Sequence, residues 1–397
     1  MYEFKHSSVD ENSSIDDIEN EIQRLESSKL FNRNYDQGCK VILNSVYGVE
    51  GFNRFPFYLR NIAESTTLQS QDIIQYTERV FNHYFKEIWY RDSELHNRIG
   101  IESVSRIHHN VVNYLDTDSV FVVFDSVYDG IVWKDGQKLD FVDFIQNICK
   151  FRINNFIIDS LSSYVKKFNG FEIKTDGSPA FKLVFEQICE SVIWLAKKKY
   201  IKDTIWKKGN RFKSLEKIET KGIETSQSSI PKFCRNKLKD MIKFIISNEF
   251  NQNKLLDILL SLRNEFETTD IDNICKTERI SNYYDFILND KTAIEIGKNC
   301  KPHTKGSAVY NYLLYNTKYK NKYQLIQSGD RVKYYYTKND EIETFSFLPG
   351  TYPIEIAKDI DYDLQFEKLI LAPINNILKS MNLMELDRNL ILFPSLF

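Results

Sequence analysis

The sequence predicts an α+β fold in which helical and strand-forming stretches occupy separate segments. Three observations predict it. Residues 61 to 90 repeat apolar side chains at helical spacing, with Ile73, Tyr76, Val80, Tyr84 and Ile88 on one face. Val111 and Val112, then Val120, Phe121, Val122, Val123 and Phe124, bracket a polar tip and read as a β-hairpin over 107 to 124. Beyond Gly222 the chain turns mainly helical, interrupted by the strand-forming run Arg331-Val332-Lys333-Tyr334-Tyr335-Tyr336.

The remaining elements follow in order. Ile15, Ile18, Ile22 and Leu25 make a short coiled-coil seam on a helix that Ser14 and Asp17 can cap. A seam this short is marginal alone and wants a partner helix. A second helix is expected from Asn34 to Tyr47, with Gly38 as its weak point. Helix follows around 141 to 167, and strands near 181 to 205. Pro231, after Ser229, marks a helix start, and further helices are expected near 253 to 266 and 365 to 381.

Composition bounds the function classes. At 397 residues the chain has room for two or three domains, and 42% apolar residues suffice for a real core. A net charge of −2 does not announce a nucleic-acid binder. The distribution does: between Lys197 and Lys243, Lys and Arg outnumber Asp and Glu about three to one, a local field suited to phosphates. The six cysteines are scattered singly, with no Cys-x-x-Cys and no His cluster, which argues against zinc and against a disulfide framework and favours a reducing compartment. There is no signal peptide and no apolar run of membrane-span length.

The chemistry concentrates in Tyr114-Leu115-Asp116-Thr117-Asp118-Ser119 at the hairpin tip. If both acids lie on one strand, Asp116 and Asp118 share a side of the pleat. Paired carboxylates there suit a hard cation such as Mg²⁺, which serves phosphoryl or nucleotidyl transfer by the two-metal route. The plain alternative is an Asx turn with solvated acids. Upstream, Lys40, Asn44 and Tyr47 fall at i, i+4 and i+7, lining an ammonium, an amide and a phenol along one helix face. Downstream lies Ala196-Lys197-Lys198-Lys199-Tyr200. If this is one strand, Lys198 and Tyr200 share one face, and Lys197 and Lys199 the other.

In order and spacing, three of these blocks resemble family B DNA polymerases, in the form carried by T-even-type phages. Tyr-x-Asp-Thr-Asp-Ser resembles the palm motif. Lys40-Val41-Ile42-Leu43-Asn44-Ser45-Val46-Tyr47-Gly48 resembles the second fingers helix, and Lys-Lys-Lys-Tyr the palm motif that checks the duplex. Gly222-Ile223-Glu224-Thr225-Ser226-Gln227-Ser228-Ser229-Ile230-Pro231 resembles the start of the thumb. The resemblance implies a family B palm (an antiparallel sheet with packed helices), a partial helical fingers and a mainly helical thumb. On this division 1–52 is partial fingers, 53–222 palm, 223–389 thumb and 390–397 a clamp-binding tail.

The resemblance assigns roles. Asp118 is the principal ligand of two Mg²⁺ ions. Asp116 either binds metal or holds its geometry. Glu186, in Phe185-Glu186, is either a third metal carboxylate or a structural strand residue. Lys40 neutralises triphosphate charge, Asn44 donates a hydrogen bond to it, Tyr47 lies against the nascent base pair, and Gly48 lets the backbone approach. Lys197, Lys198 and Tyr200 meet the primer or minor-groove acceptors, or else belong to a solvated edge strand. Lys232, Arg235, Lys239 and Lys243 form a stripe that tracks the duplex or is simply solvated. In Pro302-His303-Thr304-Lys305-Gly306, Lys305 is the phosphate contact. Phe393, Leu396 and Phe397 anchor the tail on a sliding clamp or pack back on the thumb. Leu115 departs from the usual Gly of the motif. His108 and His109 read as loop residues, and Asp92-Ser93-Glu94 as a polar loop rather than a nuclease motif.

The family's other aspartate, in an Asp-x-x-Ser-Leu-Tyr-Pro-Ser block, is not found in this sequence. Nor is an exonuclease domain or the first fingers helix. The chain is therefore expected to be the C-terminal half of a split polymerase, an enzyme active only with an N-terminal polymerase polypeptide. The break would fall in an exposed helical hairpin, and the Ile15–Leu25 seam would clasp the partner's fingers helix. Its other partners would be primer-template DNA, dNTPs and a sliding clamp, with no membrane. It would work in the cytoplasm of a bacterial host. The alternative is a non-catalytic DNA- and clamp-binding scaffold, for which Leu115 is the hint. A reverse-transcriptase reading is weaker, because Thr117 splits the acids.

Overall fold

The computed structural model describes residues 13–168, 174–175, 178–179, 183–281, 300–338 and 342–392. The chain folds into two compact units, Met1–Val184 and Phe185–Phe397. The division falls within the segment 53–222 read as palm.

In the first unit, α1 runs unbroken from Ile15 to Glu50. Two helices were expected here. Gly38 costs only about 1 kcal/mol in a helix interior, too little to break a run this long. Ser14 and Asp17 close the expected capping box, with Asp17 N donating to Ser14 Oγ at 3.2 Å. Ile15, Ile18, Ile22 and Leu25 are all exposed along α1. Next, α2 (Arg60–His83) continues through a π-turn, Tyr84–Ile88, and a 3₁₀ turn, Trp89–Arg91. Of its expected core face, Val80 and Tyr84 are buried and Ile73, Tyr76 and Ile88 half-buried.

Asp92 caps α3 (Ser93–Ile99), accepting from Leu95 N at 3.2 Å. Then come β1 (Ile101–Val104), β2 (Val112–Asp116), β3 (Ser119–Val122), α4 (Asp125–Asp129) and β4 (Ile131–Trp133). β1 pairs with β4 and β2 with β3, each antiparallel. α5 (Phe141–Ile148) and α6 (Asn154–Lys167) join through a π-turn, Cys149–Ile153, giving the helical stretch expected over 141 to 167. The short antiparallel pair β5 (Lys174–Thr175) and β6 (Ser178–Pro179) follows. The core is aromatic: Trp89 and Phe144 meet at 6.2 Å, and Phe85 and Phe124 edge-on at 5.4 Å.

The second unit opens with an antiparallel sheet of β7 (Gln187–Ala196), β8 (Lys199–Lys207), β9 (Asn210–Arg211) and β10 (Ile218–Lys221). β8 lies between β7 and β10 and also pairs with β9. α7 (Lys232–Ile246) starts behind Pro231, as expected, and α8 (Gln252–Thr268) follows. A second sheet orders β11 (Lys276–Arg279), β12 (Arg331–Tyr336) and β13 (Thr344–Phe347), with α9 (Pro302–Tyr315) between β11 and β12 in sequence. α10 (Tyr362–Phe366), a π-turn at Glu367–Leu371, α11 (Ala372–Ser380) and α12 (Arg388–Leu392) complete it. Its core draws on both sheets and these helices, through residues such as Ile201, Leu259, Phe266, Tyr335 and Phe366. Mixed helix with small antiparallel sheets is the expected α+β class.

Candidate functional site

The acid hairpin has a two-residue turn. Asp116 ends β2 and pairs with Ser119, which begins β3, leaving Thr117 and Asp118 at the tip. The two acids therefore do not share a side of one pleat, because alternation holds along a strand and not across a turn. Asp116 is 3% exposed, whereas Asp118 is exposed in the turn. Asp118 N donates to Asp116 O at 2.7 Å, and Ser119 Oγ donates to the same carbonyl at 3.1 Å. Thr117 sits at φ +59°, the left-handed region, which costs a β-branched residue about 1–2 kcal/mol. The hairpin is held from α2: Asn82 Oδ1 accepts from Val111 N at 2.8 Å and from Val112 N at 3.2 Å.

Lys40, Asn44, Tyr47 and Gly48 are exposed on α1, and the helix extends past the expected end at Tyr47 to Glu50. The Tyr47 hydroxyl and Thr67 Oγ1, on α2, share a hydrogen bond of 2.5 Å. Tyr47 and Thr67 line an open cleft of about 280 Å³ with Gly51, Tyr58, Arg60, Ala63 and Glu64. Sequence reasoning missed Thr67, since no local pattern marks a partner twenty residues away.

The lysine block is also a hairpin. Ala196 pairs with Lys199, and Lys197 and Lys198 form the turn, with Lys198 left-handed at φ +62°. The expectation of one alternating strand is thus replaced by a turn followed by a strand start. Lys197, Lys198 and Lys199 are exposed. Tyr200 is not: it is 4% exposed, meets Trp194 edge-on at 5.1 Å, and lies beneath the ammonium groups of Lys202 and Lys221. Gly222, at φ +69°, packs so closely that a Cβ there would stand 2.3 Å from Lys198 O. Glu186 is exposed and precedes β7 rather than lying within a buried strand.

Part of the basic field is spent internally. Glu219 meets Lys207 at 2.7 Å and Lys202 at 3.4 Å. Burial alone would raise the Glu219 carboxyl, but the bond to Lys207 and the charge of Lys202 outweigh it and hold the group below its ordinary value. On α7, Lys232, Lys239 and Lys243 are exposed; Arg235 is half-buried, its Nε enclosed without an acceptor. Lys305 pairs with Glu343 at 2.7 Å. The Pro302–Gly306 motif is a packing device as well, since a Cβ on Gly306 would lie 2.5 Å from Ser346 Oγ. His303 is buried, and that burial lowers its imidazole. Phe393, Leu396 and Phe397 lie outside the described residues.

Asp92 lies just before α3 as its cap, but buried and paired rather than solvated: Arg152 Nε meets it at 2.7 Å and the Tyr84 hydroxyl donates to it at 2.8 Å. These groups line a cleft of about 500 Å³ whose opposite charges pair with one another. His109 Nε2 bonds Ser126 Oγ at 2.9 Å. Burial pushes the Cys149 and Cys234 thiols up to about 12, so neither is a nucleophile near neutral pH. Among the described residues no group of three or more His, Cys, Asp or Glu converges at metal-ligand range. Asp116 and Asp118 offer two carboxylates, which fits Mg²⁺, an ion that often takes one or two protein carboxylates and fills its other positions with water and phosphate oxygens.

The model for DNA polymerase family B matches residues 17–140 and 158–381. The chain belongs to DNA polymerase family B. It is similar to the DNA-directed DNA polymerase of Escherichia phage RB69, 26% identical over 231 residues, covering 51% of this chain and 21% of that protein. It is similar to the enzyme of the same name from Enterobacteria phage T4, 24% identical over 307 residues, covering 68% of this chain and 28% of that protein. A shorter match, 38% over 81 residues, is to the DNA polymerase alpha catalytic subunit of Arabidopsis thaliana, covering 19% of this chain and 5% of that protein. The chain thus spans between 21% and 28% of the length of the two phage relatives. No helix among the described residues is long and apolar enough to cross a membrane.

Proposed function

We propose that the chain forms the nucleotide-binding and part of the metal-binding apparatus of a template-directed DNA polymerase. One observation carries the reading: the Asp116–Asp118 hairpin and the Lys40–Tyr47 helix face belong to one compact unit, and α2 bonds to both. Asp118, reachable from solvent, is the principal Mg²⁺ ligand, and Asp116 supports it from a buried position. The bound ions would neutralise charge at the reacting phosphate and favour the attacking oxygen. Lys40 and Asn44 hold the triphosphate, and Tyr47, steadied by Thr67, abuts the base pair. In the second unit Lys197, Lys198, Lys232 and Arg235 serve the primer-template. Tyr200 there acts through packing, and Lys305 is available to phosphate only if it leaves Glu343. Glu186 is that unit's candidate carboxylate.

The Asp-x-x-Ser-Leu-Tyr-Pro-Ser block is not found in these 397 residues, and we propose that an N-terminal polypeptide supplies the family's remaining aspartate. On this reading residues 1–52 are partial fingers and the Phe393–Phe397 tail docks on a sliding clamp, in the cytoplasm of a bacterial host. The test is primer extension with Mg²⁺ and nucleotides by this chain alone, by the partner alone, and by the two together. Only the mixture should extend. Robust extension by this chain alone would overturn the shared site. Asp118→Ala in the mixture should lower the rate about 10⁴-fold, the scale of losing one member of a catalytic constellation. A DNA- and clamp-binding scaffold would lose nothing.

A further inference from the structure

We infer that Asn82 is a positioning residue for the carboxylate hairpin, and that α2 is the strut fixing that hairpin relative to the nucleotide face of α1. The catalytic consequence rests on the polymerase reading above; the anchor itself rests on geometry.

Among the described residues β2 and β3 form a two-stranded sheet with no third strand. A hairpin of this size is marginal by itself, so its placement must come from outside it. One buried polar hold is Asn82, one residue from the end of α2 and 8% exposed. Its one oxygen takes two successive backbone N–H groups, Val111 and Val112, at the entry of β2. Just beyond them the pairing is interrupted by an irregularity between Val112 and Tyr114. Two bonds to adjacent N–H groups fix both the height and the rotation of the strand. An Asn or Asp oxygen can do this, and an apolar side chain cannot. Removing it would take this acceptor from two N–H groups, Val111 in a buried setting and Val112 in a part-buried one, and unmade bonds of that kind are costly.

The other end of the strut is Thr67, which holds Tyr47. A rigid helix places Thr67 and Asn82 about 22 Å apart along its axis and about 60° apart in rotation. Side chains from nearly one side of one helix therefore secure both functional segments. Lys86 Nζ adds a contact to Asn110 Oδ1 at 2.7 Å, but in an exposed setting.

The test uses this chain with its completing polypeptide and three variants. Asn82→Ala removes the acceptor. Asn82→Asp keeps an oxygen for the same two N–H groups. Leu161→Ala weakens the core of the same unit from α6. Asn82→Ala should lower kcat about 100-fold, as a small misplacement of reacting groups does. The KM for primer-template should hold, and more Mg²⁺ should be needed for half-maximal rate. Asn82→Asp should restore most of the rate, and Leu161→Ala should lower the melting temperature while leaving kcat and Mg²⁺ dependence close to wild type. The inference is overturned if Asn82→Ala behaves like Leu161→Ala, or if Asn82→Asp gives no rescue. If the wild-type pair extends no primer, the polymerase reading falls separately, and amide exchange on this chain judges the anchor. Exchange at Val111 and Val112 must then quicken in Asn82→Ala and not in Leu161→Ala; equal exchange refutes it.

Discussion

The two motif hairpins share one connection and differ in what secures it. Each closes with a two-residue turn holding a non-glycine residue in the left-handed region, Thr117 in one and Lys198 in the other. The lysine hairpin contributes β8, which has neighbours on both sides, and its tip is pressed from outside by Gly222. The acid hairpin is, among the described residues, a two-stranded sheet held to α2 through the Asn82 side chain. The lesson is that similar turns can be rigid or adjustable depending on their surroundings. The lysine tip is built for a fixed surface. The acid tip takes its position from a hydrogen-bonding group on a neighbouring helix.

The largest expected effect falls on the rigid hairpin. Gly222→Ala adds a Cβ that meets the Lys198 carbonyl and forces a left-handed alanine, so unfolding should become easier by about 2–4 kcal/mol. Urea denaturation of the full chain measures this, and a loss under half a kilocalorie would show that the two hairpins are equally free. Next is Thr67→Val, which removes the Tyr47 partner while keeping shape. At about 1 kcal/mol for the lost bond, the nucleotide KM should rise about fivefold. An unchanged KM would separate α2 from nucleotide handling. Thr117→Asn replaces a β-branched residue by one that tolerates φ > 0 and should stabilise the chain by about 0.5–1 kcal/mol. Destabilisation would mean that the Thr117 hydroxyl, 3.3 Å from Asp116 Oδ1, outweighs the strain.

The smallest effect concerns pH. The folded Glu219 carboxyl is held below its ordinary value, so its contribution is complete above the unfolded pKa and disappears as pH falls through the folded one. Glu219→Gln should therefore cost less than about 0.5 kcal/mol near pH 7, a cost that vanishes as pH falls through the folded carboxyl's titration. A penalty that persists in acid would show that packing, and not charge, is the role of this residue.

What the sequence made legible were features that repeat locally. Apolar periodicity located α2, helices were also expected where α6 and α8 lie, and strand-forming residues located the acid hairpin and β12. What it hid were contacts across the chain and exceptions to periodicity. The strands β1, β4 and β13 have at most four residues, too few for alternation to register. Asn82 and Thr67 act over separations of 29 and 20 residues, with nothing in their own neighbourhoods to mark them. The two motif hairpins were found, but their side-chain directions were not: a two-residue turn resets the alternation that a continuous strand would keep. Lys305 and Tyr200 drew attention as ligand groups, yet the fold gives one a carboxylate and buries the other.

The continuity of α2 has a consequence for length changes. One residue inserted between Thr67 and Asn82 would turn the downstream end by about 100° and advance it about 1.5 Å. Asn82 would swing off its two amides while Thr67 stayed on Tyr47. The same insertion among residues 52–59, between α1 and α2, would be absorbed at little cost. Natural variants of this chain should therefore vary in length in that loop and keep the residue count of α2 constant.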